Sequence, residues 1–289
     1  MNKEAGDRHA YLIIAHTEPE VLARLMRAID DRRNDIYIHI DRKAGFSAVD
    51  TSGMQSHVCI LPERIDAAWG DYSIVEIELE LIAAALNAGD YSYLHLISGV
   101  DLPIKTQDYI HDECRRNAGK QFIGFARNVT AKELKWRTQH YFLYPRDFKD
   151  SSRYKSAVRY AAVKLQSLLG YRRYPGEVKK GAQWWSITSE FAAYVLSQKE
   201  LIEKHFRNTF CPDEMVIQSL CWNSRYRSEV FDPEDEFNGC RRYIPWKDGT
   251  LMELDAADYI KMNLSGKWFA RKFSQKELAN YEKFAKSIQ

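Results

Sequence analysis

The N-terminal third of this chain alternates short apolar runs with stretches whose apolar residues recur every three or four positions, and few folds accommodate that pattern. The runs at Ala10–Ala15, Ile36–Ile40, Val58–Ile60 and Tyr93–Ile97 read as strands. Between the first two, Val21, Leu22, Leu25, Met26 and Ile29 share one face of a helix that opens at Thr17 or Glu18, with Pro19 in its first turn. Trp69-Gly70-Asp71-Tyr72-Ser73 leads into a second helix through Ala88, with Ile74, Ile77, Leu81 and Ala84 or Ala85 facing inward. A third is expected from about Thr106 to Arg116. Strands that alternate with amphipathic helices predict β-α units around a mainly parallel central sheet flanked by helices, hence an α/β fold.

In open α/β sheets ligands bind outside the carboxyl ends of the strands. Polar residues there carry more weight than polar residues elsewhere, and three ends have them: His16, Asp41 and Asp101, the last within Ser98-Gly99-Val100-Asp101-Leu102-Pro103-Ile104-Lys105-Thr106. Residues 127–180 change character. They are basic and rich in Tyr, with weak periodicity and one helix expected near 155–169, and they read either as a solvated connection or as a lid-like segment beside a site. Order returns at Gly181-Ala182-Gln183-Trp184-Trp185-Ser186-Ile187, which reads as a strand, followed by a helix capped by Thr188 or Ser189 through Ser197. After a polar loop at 232–238 come a short strand, Arg242-Tyr243-Ile244, and a C-terminal helix over 274–289, where Ser274 and Glu277 have capping-box spacing.

The 289 residues are 45% hydrophobic and 28% charged, and 42 basic residues face 40 acidic ones. That balance gives no bulk reason to expect nucleic acid as a partner, and the length suits a single domain spanning 1–289. The apolar runs fall well short of the about 20 residues a membrane span requires, and the polar first residues lack a signal-peptide pattern. A cytoplasmic protein is expected, with peripheral contact at the inner face of the membrane as a variant. Five scattered cysteines and eight histidines show neither paired spacing nor helical ligand spacing, so no structural metal is expected.

Pro212-Asp213-Glu214 precedes the helical pattern Val216, Ile217, Leu220, Cys221. Pro suits a first helical position, so these carboxylates are expected in a first helical turn. The macrodipole alone favours acids there by roughly 0.3 to 1 kcal/mol, so the position does not by itself imply catalysis. The chain contains no Walker loop, Gly-x-Gly-x-x-Gly, His-Glu-x-x-His or Gly-x-Ser-x-Gly. No two aspartates lie two residues apart, so the Asp-x-Asp with which many sugar-nucleotide enzymes hold a divalent cation is missing.

The segments Tyr37–Lys43, Ser98–Thr106, Gly181–Ile187, Cys211-Pro212-Asp213-Glu214 and Phe269-Ala270-Arg271-Lys272-Phe273 occur in that order. Together, from about residue 10 to 274, they resemble the core-2/I-branching β-1,6-N-acetylglucosaminyltransferase family (glycosyltransferase family 14), which includes the peptide O-xylosyltransferases. The resemblance implies a GT-A-like, Rossmann-like fold and an inverting glycosyltransferase that takes sugar from a UDP-sugar without metal. It assigns Glu214 as general base, a role typically worth about 10² to 10⁴ in rate. Lys272 and Arg242, or Arg241 in place of the latter, match the phosphate-binding pair, with Arg271 assisting. Asp41 matches the position that reads uridine, against a turn or cap role. Trp69 either stacks on the base or belongs to the core. Asp101 and Lys105 are implied as sugar or acceptor contacts, with His16 nearby at a strand end. Of Trp184 and Trp185 only one can line the pocket if both lie in a strand. Asp213 is expected to cap the helix or orient neighbours.

Animal members have an N-terminal membrane helix and many disulfide cysteines, and this sequence has neither, which suggests a bacterial-type member. The expected partners are the UDP-sugar donor, UDP-N-acetylglucosamine first and UDP-xylose second, and a glycan or lipid-linked glycan acceptor, without nucleic acid or an integral membrane span. Two other readings remain: a non-catalytic sugar-nucleotide-binding protein, and a scaffold in polysaccharide assembly.

Overall fold

The computed structural model describes residues 7–148, 152–169, 174, 176–247, 250–252 and 254–288. Five strands form the central sheet: β1 (His9–Ala15), β2 (Asn34–Ile40), β3 (His57–Ile60), β4 (Tyr93–Ser98) and, after a two-residue strand β5 (Leu102–Pro103), β6 (Ser186–Thr188). Their order is β3-β2-β1-β4-β6, with all neighbours parallel except β4 and β6. The fold is thus mixed α/β with a mainly parallel sheet. The helices are α1 (Pro19–Ala28), α2 (Ser73–Ala88), α3 (Gln107–Arg116), α4 (Ala131–Thr138), α5 (Arg153–Leu168), α6 (Ser189–Ser197), α7 (Lys199–Phe206), α8 (Val216–Trp222), α9 (Glu236–Gly239), α10 (Ala256–Leu264) and α11 (Leu278–Ile288). Strands β7 (Arg242–Tyr243) and β10 (Phe269–Ala270) join β5 in a small second sheet, and β8 (Trp246–Lys247) pairs with β9 (Thr250–Leu251).

The first strand explains the apolar runs. Leu12 and Ile14 point into a core shared with Ile77, Leu81 and Leu96, whereas Tyr11, Ile13 and Ala15 point into another with Leu22, Leu25 and Ile38. A strand covered by helices on both faces must be apolar at every position, and all seven residues of β1 are buried. The chain runs leftward from β1 to β2 and later rightward to β4, so the order reverses between β1 and β4, where such sheets open a crevice. Gly99 lets the end of β4 close on β1: its N–H donates to Ile14 O at 2.9 Å, and a Cβ would stand 3.1 Å from that of Ala15.

Several expected elements differ. The 181–187 segment forms a strand only from Ser186, because its earlier backbone bonds elsewhere: Gly181 N–H donates to Glu214 O, and the Gln218 amide donates to Ala182 O. Pro212–Glu214 is a single 3-10 turn and not the first turn of an α-helix; Met215, at φ −134°, closes it, and α8 begins afterwards at Val216. The Ser274 capping box does not form, since Gln275–Glu277 is another 3-10 turn whose leading N–H is taken by the Glu18 carboxylate at 2.8 Å. Helix α4 had no counterpart in the sequence reading. Among the described residues, no helix is long and apolar enough to cross a membrane.

Candidate active site

A cleft of about 500 Å³ opens at the carboxyl ends of β1, β2 and β4. Ile14, His16 and Thr17 come from the first, Asp41, Lys43 and Ala44 from the second, and Ser98 from the third; Trp69, Gln183, Trp184 and Arg271 close it from other elements. The site is a consequence of topology, because it fills the crevice where strand order reverses.

On the β2 side, backbone amides lock Asp41. Its Oδ1 accepts from Lys43 N–H at 2.7 Å and its Oδ2 from Ala67 N–H at 3.2 Å. Arg64 braces the same loop by donating to the carbonyls of Ile40, Asp41 and Phe46. Behind it, His39 Nε2 accepts from Ile65 N–H at 2.8 Å, and burial holds this imidazole down at about 4, so it is neutral. Lys43, which sequence reasoning passed over, lines the cleft beside Asp41 and pairs with Asp66. Its signal was its position two residues beyond a strand-end aspartate.

On the opposite side, Arg271 lies over the Trp184 ring at 4.2 Å, with its Nε 3.6 Å from Asp101 Oδ1. Burial raises the Asp101 carboxyl, against the pull of Arg271, and lowers the Arg271 guanidinium. Asp101 Oδ2 accepts from Ser98 N–H and so closes the turn after β4, while Oδ1 is buried without a hydrogen bond. Trp184 faces the cleft; Trp185 is fully buried in the core. Trp69 is half exposed at the mouth, packed edge-to-face with Phe210 at 5.6 Å between ring centroids.

That contact leads to the acidic turn. Cys211 N–H donates to Gly70 O at 2.9 Å, next to Trp69, and Gly70 has φ +80°, a left-handed conformation that glycine adopts readily. Gly181 N–H meets Glu214 O at 2.9 Å, two residues before Gln183 of the cleft. Glu214 is therefore held at the cleft's border from both sides. Its side chain is 34% exposed, and Oε2 meets Arg137 of α4 at 2.9 Å and Lys180 at 3.5 Å. Asp213 caps no helix. It is buried, with Oδ1 lacking a hydrogen bond, and faces Glu78, whose carboxyl accepts from Gln183 at 2.9 Å. Burial, and then the neighbouring Glu214, push Asp213 up to about 7.

Besides Trp185 and Asp213, three more sequence-predicted residues lie outside the cleft. Arg242 is 1% exposed and acts as an internal strut: it donates to Cys240 O, Leu96 O, Trp185 O and Ser186 Oγ at 2.7 to 3.2 Å, and its guanidinium packs on the Phe269 ring. Its neighbour Arg241 pairs with Glu113 at 3.1 Å. Lys272 is exposed and, unlike Arg271, does not line the cleft. Lys105 is carried away because β5 turns antiparallel to β10; its Nζ donates to Asn263 O at 2.7 Å in the last turn of α10, where a cation suits the helix dipole.

For a metal, the described residues offer two clusters, His9-His95-Cys114 and Asp7-His9-His111, whose ligand atoms lie within 4.8 Å of one another. Spacing along the sequence did not show them, because parallel pairing of β1 and β4 is what joins His9 to His95. They sit toward the amino ends of the strands, away from the cleft. Hydrogen bonds from Ser186 Oγ to His95 and on to His9 already engage both His95 nitrogens, and burial lowers both imidazoles, so they are neutral.

Comparison with known proteins agrees with this arrangement of motifs. Residues 9–278 match the family model described as Core-2/I-Branching enzyme. The chain is 26% identical over 262 residues to the bovine beta-1,3-galactosyl-O-glycosyl-glycoprotein beta-1,6-N-acetylglucosaminyltransferase, covering 85% of this chain and 56% of that one. The human protein of that name is likewise 26% identical, over 261 residues, with the same coverage. Xylosyltransferase 2 of the rat is 21% identical over 290 residues, 92% of this chain and 32% of its own. The chain thus spans about half the length of the first two and about a third of the last. Because the family match takes in every strand of the central sheet and every residue of the cleft, this chain belongs to the Core-2/I-Branching enzyme family.

Proposed function

We propose that this protein is an inverting glycosyltransferase of GT-A-like fold that moves a sugar from a UDP-sugar to a hydroxyl of a glycan acceptor without a divalent metal. The observation that carries the reading is Glu214, held at the border of a nucleotide-sized cleft with its carboxylate partly open to solvent. Both neighbouring cations address Oε2, which leaves Oε1 for an acceptor hydroxyl. In the reaction Glu214 takes the hydroxyl proton, the acceptor oxygen bonds to the anomeric carbon, and the bond to the diphosphate breaks on the opposite face, with UDP keeping the electron pair. One displacement inverts the centre.

Asp41, fixed by two backbone amides, supports recognition of the uridine, and Trp69 offers a face for the base. Charge builds on the diphosphate as the bond breaks, so cations fixed there favour the transition state over the ground state. Arg271 and Lys43 line the cleft wall, which supports giving them the phosphate-binding role that the resemblance implies for Lys272 and Arg242. The absence of Asp-x-Asp supports a reading in which these side chains supply the positive charge that a divalent metal would otherwise bring. The names of the relatives favour N-acetylglucosamine as the sugar, then xylose.

The test is UDP release from a panel of UDP-sugars and glycan acceptors, with and without EDTA, repeated with Glu214→Gln. The expected result is EDTA-resistant release with a preferred donor and a fall of about 10² to 10⁴ in the variant. Release abolished by EDTA refutes the metal-free mechanism. Full activity of Glu214→Gln refutes the base, and UDP binding without turnover on any acceptor assigns a binding protein.

A further inference from the structure

Helix α5 is amphipathic in the inverted sense. Over its 16 residues none is fully buried. Its protein-facing side attaches through polar groups: Arg159 donates to Leu143 O, Tyr144 O and Asp147 O, Lys155 pairs with Asp147 at 2.9 Å, and the Gln166 amide bonds both backbone groups of Tyr141. Its outward side carries Tyr154, Ala157, Ala161, Leu165 and Leu168 at helical spacing, with Tyr160 beside them. Tyr154 and Tyr160 are each 71% exposed, Leu165 59%, Leu168 78% and the following Leu169 75%. Trp136, Tyr141, Leu143 and Tyr144 extend the same region, which holds nine of the fourteen large exposed hydrophobic side chains among the described residues. So dense a cluster of apolar groups marks an interaction surface.

Charge identifies the occupant. Residues 131–173 contain 11 Lys or Arg and 3 Asp or Glu, a net charge of +8, so the remainder of a chain of net +2 carries −6. Arg153 and Lys164 on the outer part of α5, with Lys132 and Lys135 on α4, are exposed around the apolar stripe. A second copy meeting this face would bring like charge against like. An apolar stripe with Tyr and Leu, ringed by cations, matches instead the headgroup layer of a bilayer containing anionic lipid. We propose that α5, with Trp136 of α4 and the 139–144 loop, docks the protein on an anionic phospholipid surface, lying in its plane.

The docking stands apart from the transferase reading; one consequence rests on it. Helix α4 links α5 to the border of the cleft: its Trp136, with Phe142 beyond it, lines a cavity shared with Ser156, Tyr160 and Val163 of α5, and its Arg137 meets Glu214 at 2.9 Å. A protein seated on α5 therefore holds its base one helix away from the bilayer, where a lipid-linked acceptor would present its hydroxyl.

The test is co-sedimentation with vesicles of phosphatidylcholine alone and of phosphatidylcholine mixed with phosphatidylglycerol, at low and high salt. The proposal expects binding at least about tenfold stronger to the mixed vesicles, weakened by salt. The variant Leu165→Asp/Leu168→Asp is expected to lose about tenfold or more of that binding, with circular dichroism and melting temperature unchanged because both side chains are exposed. A second variant, Arg153→Glu/Lys164→Glu, is expected to lose it on mixed vesicles only. Absent binding, equal binding to both lipids, or unaltered binding by both variants overturns the proposal. So does a lipid-free dimer, seen by sedimentation velocity, that the leucine variant abolishes. Vesicle binding without any UDP release would instead refute the transferase reading alone.

Discussion

Arg242 is where the chain's motifs and its structure part most sharply, and substituting it decides between them. The guanidinium makes four hydrogen bonds inside the protein, three of them to backbone carbonyls. In Arg242→Met, Trp185 O keeps the Leu96 N–H, whereas Cys240 O and Leu96 O lose a charged donor in a buried site. Each such loss costs about 1 to 3 kcal/mol. Part of this is returned, because among the described residues no carboxylate forms a salt bridge with the cation, Asp101 acting on it only at longer range, and burial already lowers its pKa. A net loss of about 3 kcal/mol is expected, which for a chain of 289 residues lowers the melting temperature by roughly 5 °C. Calorimetric melting reads the stability, and titration with UDP at a temperature where the variant is folded reads the site. The strut assignment expects the melt to fall while UDP affinity stays within about twofold of the parent. A melt unchanged to within a degree or two, together with UDP affinity reduced tenfold or more, would refute it and place the guanidinium on the diphosphate.

The other predictions concern the cleft and its border. Arg271→Ala should weaken UDP binding about tenfold or more by removing the cation stacked on Trp184, and an unchanged dissociation constant in calorimetric titration would refute its role. Asp213→Asn should flatten a pH dependence whose sign follows from the raised carboxyl: the unfolded chain gives up the proton near pH 4 and the folded one only near 7, so stability declines as pH rises between them. Urea unfolding across that window should show the variant losing less stability than the parent, though not flat, because Glu78 is shifted in the same direction; equal slopes would remove Asp213 from the account. Gly181→Ala places a Cβ 1.8 Å from Gly124 O, and either the melting temperature or UDP release must drop; parental values for both would show that the Gly181–Glu214 contact does not position the base.

What the sequence could and could not show follows from the range of the interactions involved. Strand β1 was legible because both of its faces are buried, which forces an unbroken apolar run, and α3 because Thr106 caps it by accepting from Tyr109 N–H at 3.2 Å. These are local causes. Positions fixed by distant partners were not legible. Lys105 sits two residues beyond a predicted strand-end turn, yet pairing of β5 with β10, some 165 residues away, sends it to α10. Arg242 stands next to Tyr243 in one short strand and Arg271 directly after another, two residues from Phe269 and Phe273, and nothing local tells which one is swallowed by the core and which reaches the cleft. The same reasoning separates the two acids of the Pro-Asp-Glu turn. Neighbours in sequence, they differ because the 3-10 turn points one toward Glu78 in the interior and the other toward Arg137 and Lys180 at the border. An acid that must accept a proton from a substrate has to be reachable, and of the pair Glu214 meets that condition with its side chain 34% exposed, while burial presses Asp213 toward its neutral form.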